Sequence, residues 1–118
     1  MMFDVILERI KECSSAQISD RIHDVSSESV IVKLSPQSYD GSICQSRLQI
    51  VCVSRTYERS LVSFDAICQG LDALCDEDNE VLDVSLESTV IKYDTVSGMT
   101  RILGEFKCYT EVKNGGFN

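Results

Sequence analysis

The chain has 118 residues, with 43% hydrophobic and 25% charged, the proportions of a soluble globular domain with one core. With 11 Lys+Arg against 19 Asp+Glu its formal charge is −8, which argues against a protein whose main task is to grip phosphate backbones. One Pro and six Gly exclude a linker-rich chain, no stretch approaches the ~18 apolar residues of a membrane span, and Met1-Met2-Phe3-Asp4 lacks the basic region of a signal peptide.

Met2, Phe3, Ile6, Ile10 and Cys13 recur at helical spacing, with Asp4, Glu8, Arg9, Lys11 and Glu12 on the other side, and predict a first amphipathic helix. Residues 14–29 are rich in Ser and Asp, with Ile18, Ile22 and Val25 as their only anchors, and read as an irregular connection. A short β-branched strand is expected over residues 29–34, then a polar loop over 37–46 containing Asp40-Gly41. Residues 47–55 are nearly continuously apolar through Leu48, Ile50, Val51, Cys52 and Val53, as in a central strand.

Thr56 suits the N-cap of a second helix, where its oxygen accepts a free amide of the first turn, and Glu58 suits the positive end of the dipole. Tyr57, Leu61, Phe64, Cys68, Leu71 and Cys75 then follow at intervals of 4, 3, 4, 3 and 4, which places one apolar stripe against a sheet. Residues 81–93 and 99–112 alternate like strands on either side of the turn Asp94-Thr95-Val96-Ser97-Gly98, a long C-terminal hairpin. The order α-β-β-α-β-β is that of a single α+β domain over residues 1–113, a mainly antiparallel sheet with two helices packed on it. Residues 114–118, Asn-Gly-Gly-Phe-Asn, are expected to form a flexible tail.

The six cysteines, Cys13, Cys44, Cys52, Cys68, Cys75 and Cys108, contain no CxxC pair, and the chain has one histidine, His23. Neither a zinc ribbon nor a thioredoxin-type site can be built from them, and they read as small buried hydrophobes in a reducing cytoplasm. The thiols lack a helix-start position or basic surroundings to lower their pKa, with Cys44, in the polar loop before Arg47, as a weak exception. His23 lies between Arg21 and Asp24 in a polar connection and reads as exposed or capping. Counting Asp76 as position 1 of a calcium loop places Asp78, Glu80 and Glu87 at 3, 5 and 12. The sixth position, however, is Val81 where the sharp turn needs Gly, so a solvated acidic loop is expected. No Gly-rich phosphate loop is present, and Arg47, Arg55, Arg59, Lys92, Arg101 and Lys107 look dispersed. A nucleic-acid surface would need them on one face with few acids nearby. No catalytic residue, cofactor site or metal site is expected.

The succession of residues 29–34, the polar loop, Arg47-Leu48-Gln49-Ile50-Val51-Cys52-Val53-Ser54-Arg55 and a long helix with Ala66-Ile67, Leu71 and Leu74 is similar to a known pattern. With the closing hairpin and its Glu105-Phe106-Lys107-Cys108-Tyr109 strand, it resembles the tail-terminator and minor-capsid (tail-completion) proteins of long-tailed bacteriophages. The resemblance spans about residues 2 to 112. One departure is that the connection after the first helix in that family often carries a hydrophobic-Pro segment, whereas the only proline here is Pro36.

The resemblance implies a non-enzymatic assembly protein that forms a ring, often hexameric, which caps the finished tail tube, stops its polymerisation and joins it to the head. Its implied partners are copies of itself, the tail-tube protein and head-completion proteins, with no membrane and at most the passage of DNA without sequence-specific binding. The implied location is the virion tail, assembled in the bacterial host cytoplasm. Six copies at −8 carry −48, and an acidic lumen would let DNA slide. The contacts expected on this reading are Tyr39, Asp40 and Arg47 in and beside the polar loop, and Asp94, Thr95, Val96, Ser97 and Met99 at the hairpin tip. Two other readings remain open from the residues: a small α+β regulatory or ligand-binding domain that dimerises through its sheet, and a small enzyme using a carboxylate such as Asp83 or Glu105.

Overall fold

The computed structural model describes residues 2–13, 17–19 and 28–111; His23, Ile22, Val25 and the tail at 114–118 lie outside them. Helix α1 (Met2–Cys13) and helix α2 (Tyr57–Glu77) cover one face of a sheet ordered β1-β2-β3-β5-β4. The strands are β1 (Gln17–Ser19), β2 (Ser29–Asp40), β3 (Ile43–Ser54), β4 (Val81–Asp94) and β5 (Met99–Glu111). All neighbours in the sheet run antiparallel except β1, which lies parallel to the start of β2 through Gln17↔Ser29, Ile18↔Val30 and Ser19↔Ile31. The connection expected to be irregular therefore holds a short strand. Three residues with one apolar side chain carry no periodicity from which to read it.

Burial alternates along β3 as far as Cys52 and along β5 from Thr100, and fixes which side faces the helices. Leu48, Ile50 and Cys52 of β3 and Ile102, Phe106 and Cys108 of β5 point into the core with Val30 and Val32, and the helices supply Ile6, Ile10, Phe64, Ile67, Leu71 and Leu74. The odd-numbered residues of β3 and β5 form the other face, which is helix-free among the described residues. Near one end of that face Ile31, Val53 and Met99 make a second, smaller cluster.

The polar loop expected at 37–46 is a second hairpin. β2 continues to Asp40, β3 begins at Ile43, and only Gly41 and Ser42 turn between them. Gly41 has φ +62°, the left-handed conformation a two-residue hairpin demands at that position. Pro36 lies beyond the stretch of β2 that pairs with β1, residues 29–31, and beside a register shift between Pro36 and Ser38, a setting in which a strand tolerates proline. Residues 37–43 are exposed, and their polarity reports the absence of a covering layer rather than of a strand.

Helix α2 starts as its sequence predicts, with the Thr56 side chain accepting from the Arg59 amide at 3.2 Å. Its buried row is Ser60, Phe64, Ile67, Leu71 and Leu74, one residue out of step with the expected stripe. Of that stripe Phe64 and Leu71 are buried, Cys68 and Cys75 are partly covered, and Tyr57 and Leu61 are 44% and 41% exposed. Both rows have 3–4 spacing and share Phe64 and Leu71. The buried row is the one containing Ser60, whose hydroxyl sits beneath the helix and donates to the Thr100 carbonyl at 2.9 Å. A satisfied buried hydroxyl can thus occupy a core position that a search for apolar residues passes over.

Helix α1 is anchored by Ile6 and Ile10 and by Arg9, whose guanidinium bonds both Glu77 carboxylate oxygens at 2.7 and 2.9 Å and the Gly70 carbonyl at 3.2 Å. These bonds and the charge of Arg9 hold the Glu77 carboxyl below the usual range.

All six cysteines are free thiols; Cys44, Cys52 and Cys108 are buried and the others half-buried. Cys44 belongs to β3, where its sulfur lies 3.5 Å from the Ser46 hydroxyl, rather than to an open loop. Burial pushes the Cys52 and Cys108 thiols up to about 12 and that of Cys68 up to about 11, against an ordinary 9.0. Because the folded values exceed the unfolded one, the stabilisation linked to neutral thiols is complete below pH 9 and is lost as pH climbs towards 12. A thiol-reactive dye at neutral pH is therefore expected to label Cys52 and Cys108 only on unfolding, and the urea midpoint is expected to drop above pH 9. Rapid labelling of either residue in the folded protein contradicts their placement.

Candidate interaction surfaces

The residues expected to make contacts fall in three places. Tyr39 and Asp40 lie at the β2–β3 tip, and Tyr39 is 52% exposed. The β4–β5 tip lies at the opposite end of the sheet, since Ile43 is level with Glu111 and Ser54 with Thr100. Twelve residues of strand separate the two ends, about 40 Å. Arg47 is exposed midway along the helix-free face. The structure does not bring these groups into one site.

The β4–β5 tip is shaped by Asp94. Its carboxylate accepts from the Val96 amide and the Ser97 hydroxyl, both at 3.0 Å, and its carbonyl accepts from the Gly98 amide at 2.8 Å. Bonds to the ionised form, first that from the Val96 amide, hold this carboxyl below the usual range. Thr95 and Val96 project from the apex, Val96 with 96% of its surface in solvent. Met99 belongs elsewhere: it is 1% exposed, packed with Ile31 and Val53, and in the single chain it offers no contact surface.

Charge is sorted between the two layers of the fold. Cross-strand rows on the helix-free face read Ser29–Val53–Arg101–Lys92, then Ile31–Val51–Leu103–Val90, then Lys33–Gln49–Glu105–Ser88, then Ser35–Arg47–Lys107–Ser85. The face thus gathers Lys33, Arg47, Lys92, Arg101 and Lys107, five of the chain's 11 basic residues. Among the described residues Lys33, Arg47, Lys92 and Arg101 form no ion pair, and the Arg101 Nε is buried without a hydrogen-bond partner. Lys107 meets Glu87 at 3.6 Å, and Glu105 accepts from Gln49 at 3.3 Å. Between Lys92, Arg101 and Gln49 lies a depression of about 200 Å³ floored by Ile31, Val51, Val90 and Leu103. A second, polar depression of about 330 Å³ lies over Gln45, Arg47, Glu105 and Lys107.

The helix layer has the opposite sign. Glu58, Val62, Asp65, Gln69, Asp72 and Asp76 recur at 4, 3, 4, 3 and 4 along α2 and are all exposed. They form its outer stripe, with Val62, 70% exposed, one turn from Glu58 and less than one from Asp65. The sequence held the signal for the basic face. A hairpin turning over residues 95–98 puts Lys92 opposite Arg101, and alternation puts both on one side.

No family model matches the chain, and no curated protein matches it. Among solved structures the chain resembles one from the "Virion of native gene transfer agent (GTA) particle", with a TM-score of 0.65, 10% sequence identity, and coverage of 90% of this chain and 91% of that one. The likeness is one of fold. It covers nine tenths of each chain.

Proposed function

We propose that this chain is a non-enzymatic structural protein of a phage-like virion, which closes into a ring at the end of the tail tube, ends its growth and joins it to the head. The observation that carries this reading is the match of nearly the whole chain to a chain of a gene transfer agent virion, a phage-like particle. The resemblance of the sequence to tail terminators supports the same reading independently of that match. The oppositely charged layers and the two hairpins suit a protein whose work is contact with neighbours rather than chemistry.

Particles assembled without this chain are the test. If the ring ends tube growth, such particles have tails of irregular, extended length and heads without tails. Normal tails of uniform length, still joined to heads, contradict the reading.

A further inference from the structure

We infer that the helix-free sheet face of one copy receives the acidic outer stripe of α2 of the next copy, with Val62 seated in the apolar depression between Lys92, Arg101 and Gln49. This rests on the proposed self-assembly and names the surfaces that would carry it. Four basic side chains on this face form no ion pair among the described residues, and the outer stripe of α2 carries the complementary charge on the same acidic chain. The stripe from Glu58 to Asp76 runs about 27 Å along the helix at roughly 1.5 Å per residue, and spans the roughly 20 Å of strand between the Arg101 and Lys107 rows. It places one bare apolar residue, Val62, among four carboxylates.

The receiving face mirrors that pattern, with an apolar floor of Ile31, Val51, Val90 and Leu103 rimmed by cations. Arg101 lines this depression and forms no ion pair among the described residues, so an arriving carboxylate gives it an anionic partner. Because the two surfaces differ and lie on opposite sides of the molecule, the contact is head-to-tail. Such contacts close into rings when the rotation per subunit permits.

Charge reversal tests it, read by sedimentation velocity over a range of salt. The wild-type chain is expected to self-associate more strongly at low salt, since screening over a Debye length of about 10 Å at 0.1 M weakens exposed ion pairs. The sheet variant Lys33→Glu/Lys92→Glu and the helix variant Asp65→Lys/Asp72→Lys alter only exposed positions. Each alone is expected to raise the dissociation constant about tenfold or more, because like charges then face each other. An equimolar mixture of the two restores assembly, since each helix stripe then finds a sheet face of opposite sign. Val62→Asp, which leaves the basic face intact, weakens association in the same assay.

If the single variants assemble as the wild type does, or the mixture fails to rescue them, the docking is overturned while self-assembly stands. A wild-type chain that stays monomeric at every salt concentration overturns both. If the basic face instead binds duplex DNA, and Lys33→Glu/Lys92→Glu abolishes that binding without changing self-association, nucleic acid is the occupant and the proposal fails.

Discussion

Replacing Gly104 by valine is expected to destabilise the fold severely, and Gly104→Ala to do so measurably. Gly104 sits in the middle of β5, opposite Ile50 on one side and Thr89 on the other, on the face that meets α2. A Cβ there lies 2.5 Å from Cε1 and Cζ of Phe64 and 3.0 Å from Cε1 of Phe106. The two rings stand with centroids 6.2 Å apart and planes inclined at 41°, so the glycine is the gap that lets α2 lower Phe64 onto the sheet.

Glycine inside a strand costs about 0.5–1 kcal/mol relative to alanine through backbone entropy, so an uncrowded site would be stabilised by the change. Phe64 is only 6% exposed and has no room to withdraw, and overpacking of about 1–3 kcal/mol outweighs that gain. The alanine variant should therefore have a lower urea midpoint than wild type, and Gly104→Val a lower one still. Combining Gly104→Ala with Phe64→Leu should recover part of the loss, because the two sites share one volume. Unchanged or raised stability in Gly104→Ala would show that Phe64 does not rest on Gly104.

The second large effect is expected at Ile10. Helix α1 has 12 residues, too few to persist alone in water, and stays helical because its inner face is buried. Ile10 is fully buried among the core residues, and Ile10→Ala removes its methyl groups and leaves a cavity beneath the helix, at a cost of about 2–5 kcal/mol. Arg9→Ala should cost less. Its bonds to Glu77 are well aligned, but the carboxylate is more than half exposed and water competes for it. Chemical denaturation of both variants ranks the two effects. Arg9→Ala proving the more harmful would mean that the ion pair, and not burial, holds α1 in place.

The sequence revealed those elements whose local signals agree with their surroundings. Thr56, Glu58 and the 3–4 rhythm mark α2 because the helix is capped, amphipathic and half-covered. Asp94-Thr95-Val96-Ser97-Gly98 marks the last turn because the side chains of Asp94 and Ser97 build it. Sequence reasoning failed where polarity had a tertiary cause. Residues 37–43 extend the sheet past the reach of the helices, so nothing on either side of them needs to be apolar, and a strand there looks like a loop.

On α2 the choice between two apolar rows was decided by Ser60, whose bond to Thr100 exists only once β5 lies beneath it. Of the expected contacts, Met99 is buried in the single chain although it flanks a turn, because this face of the sheet has a small core of its own there. The basic cluster was within reach, since Arg47, Arg101 and Lys107 all occupy odd positions on alternating strands. The dispersal of these residues along the sequence hid their convergence across the sheet.

If this chain ends a phage-like tail, as proposed, the length distribution of tails in particles made without it reads that role out. The expected result is a broad distribution extending beyond the wild-type length, with heads left unattached and both defects reversed when the chain is supplied again. A narrow distribution at the wild-type length, on tails still joined to heads, would contradict it.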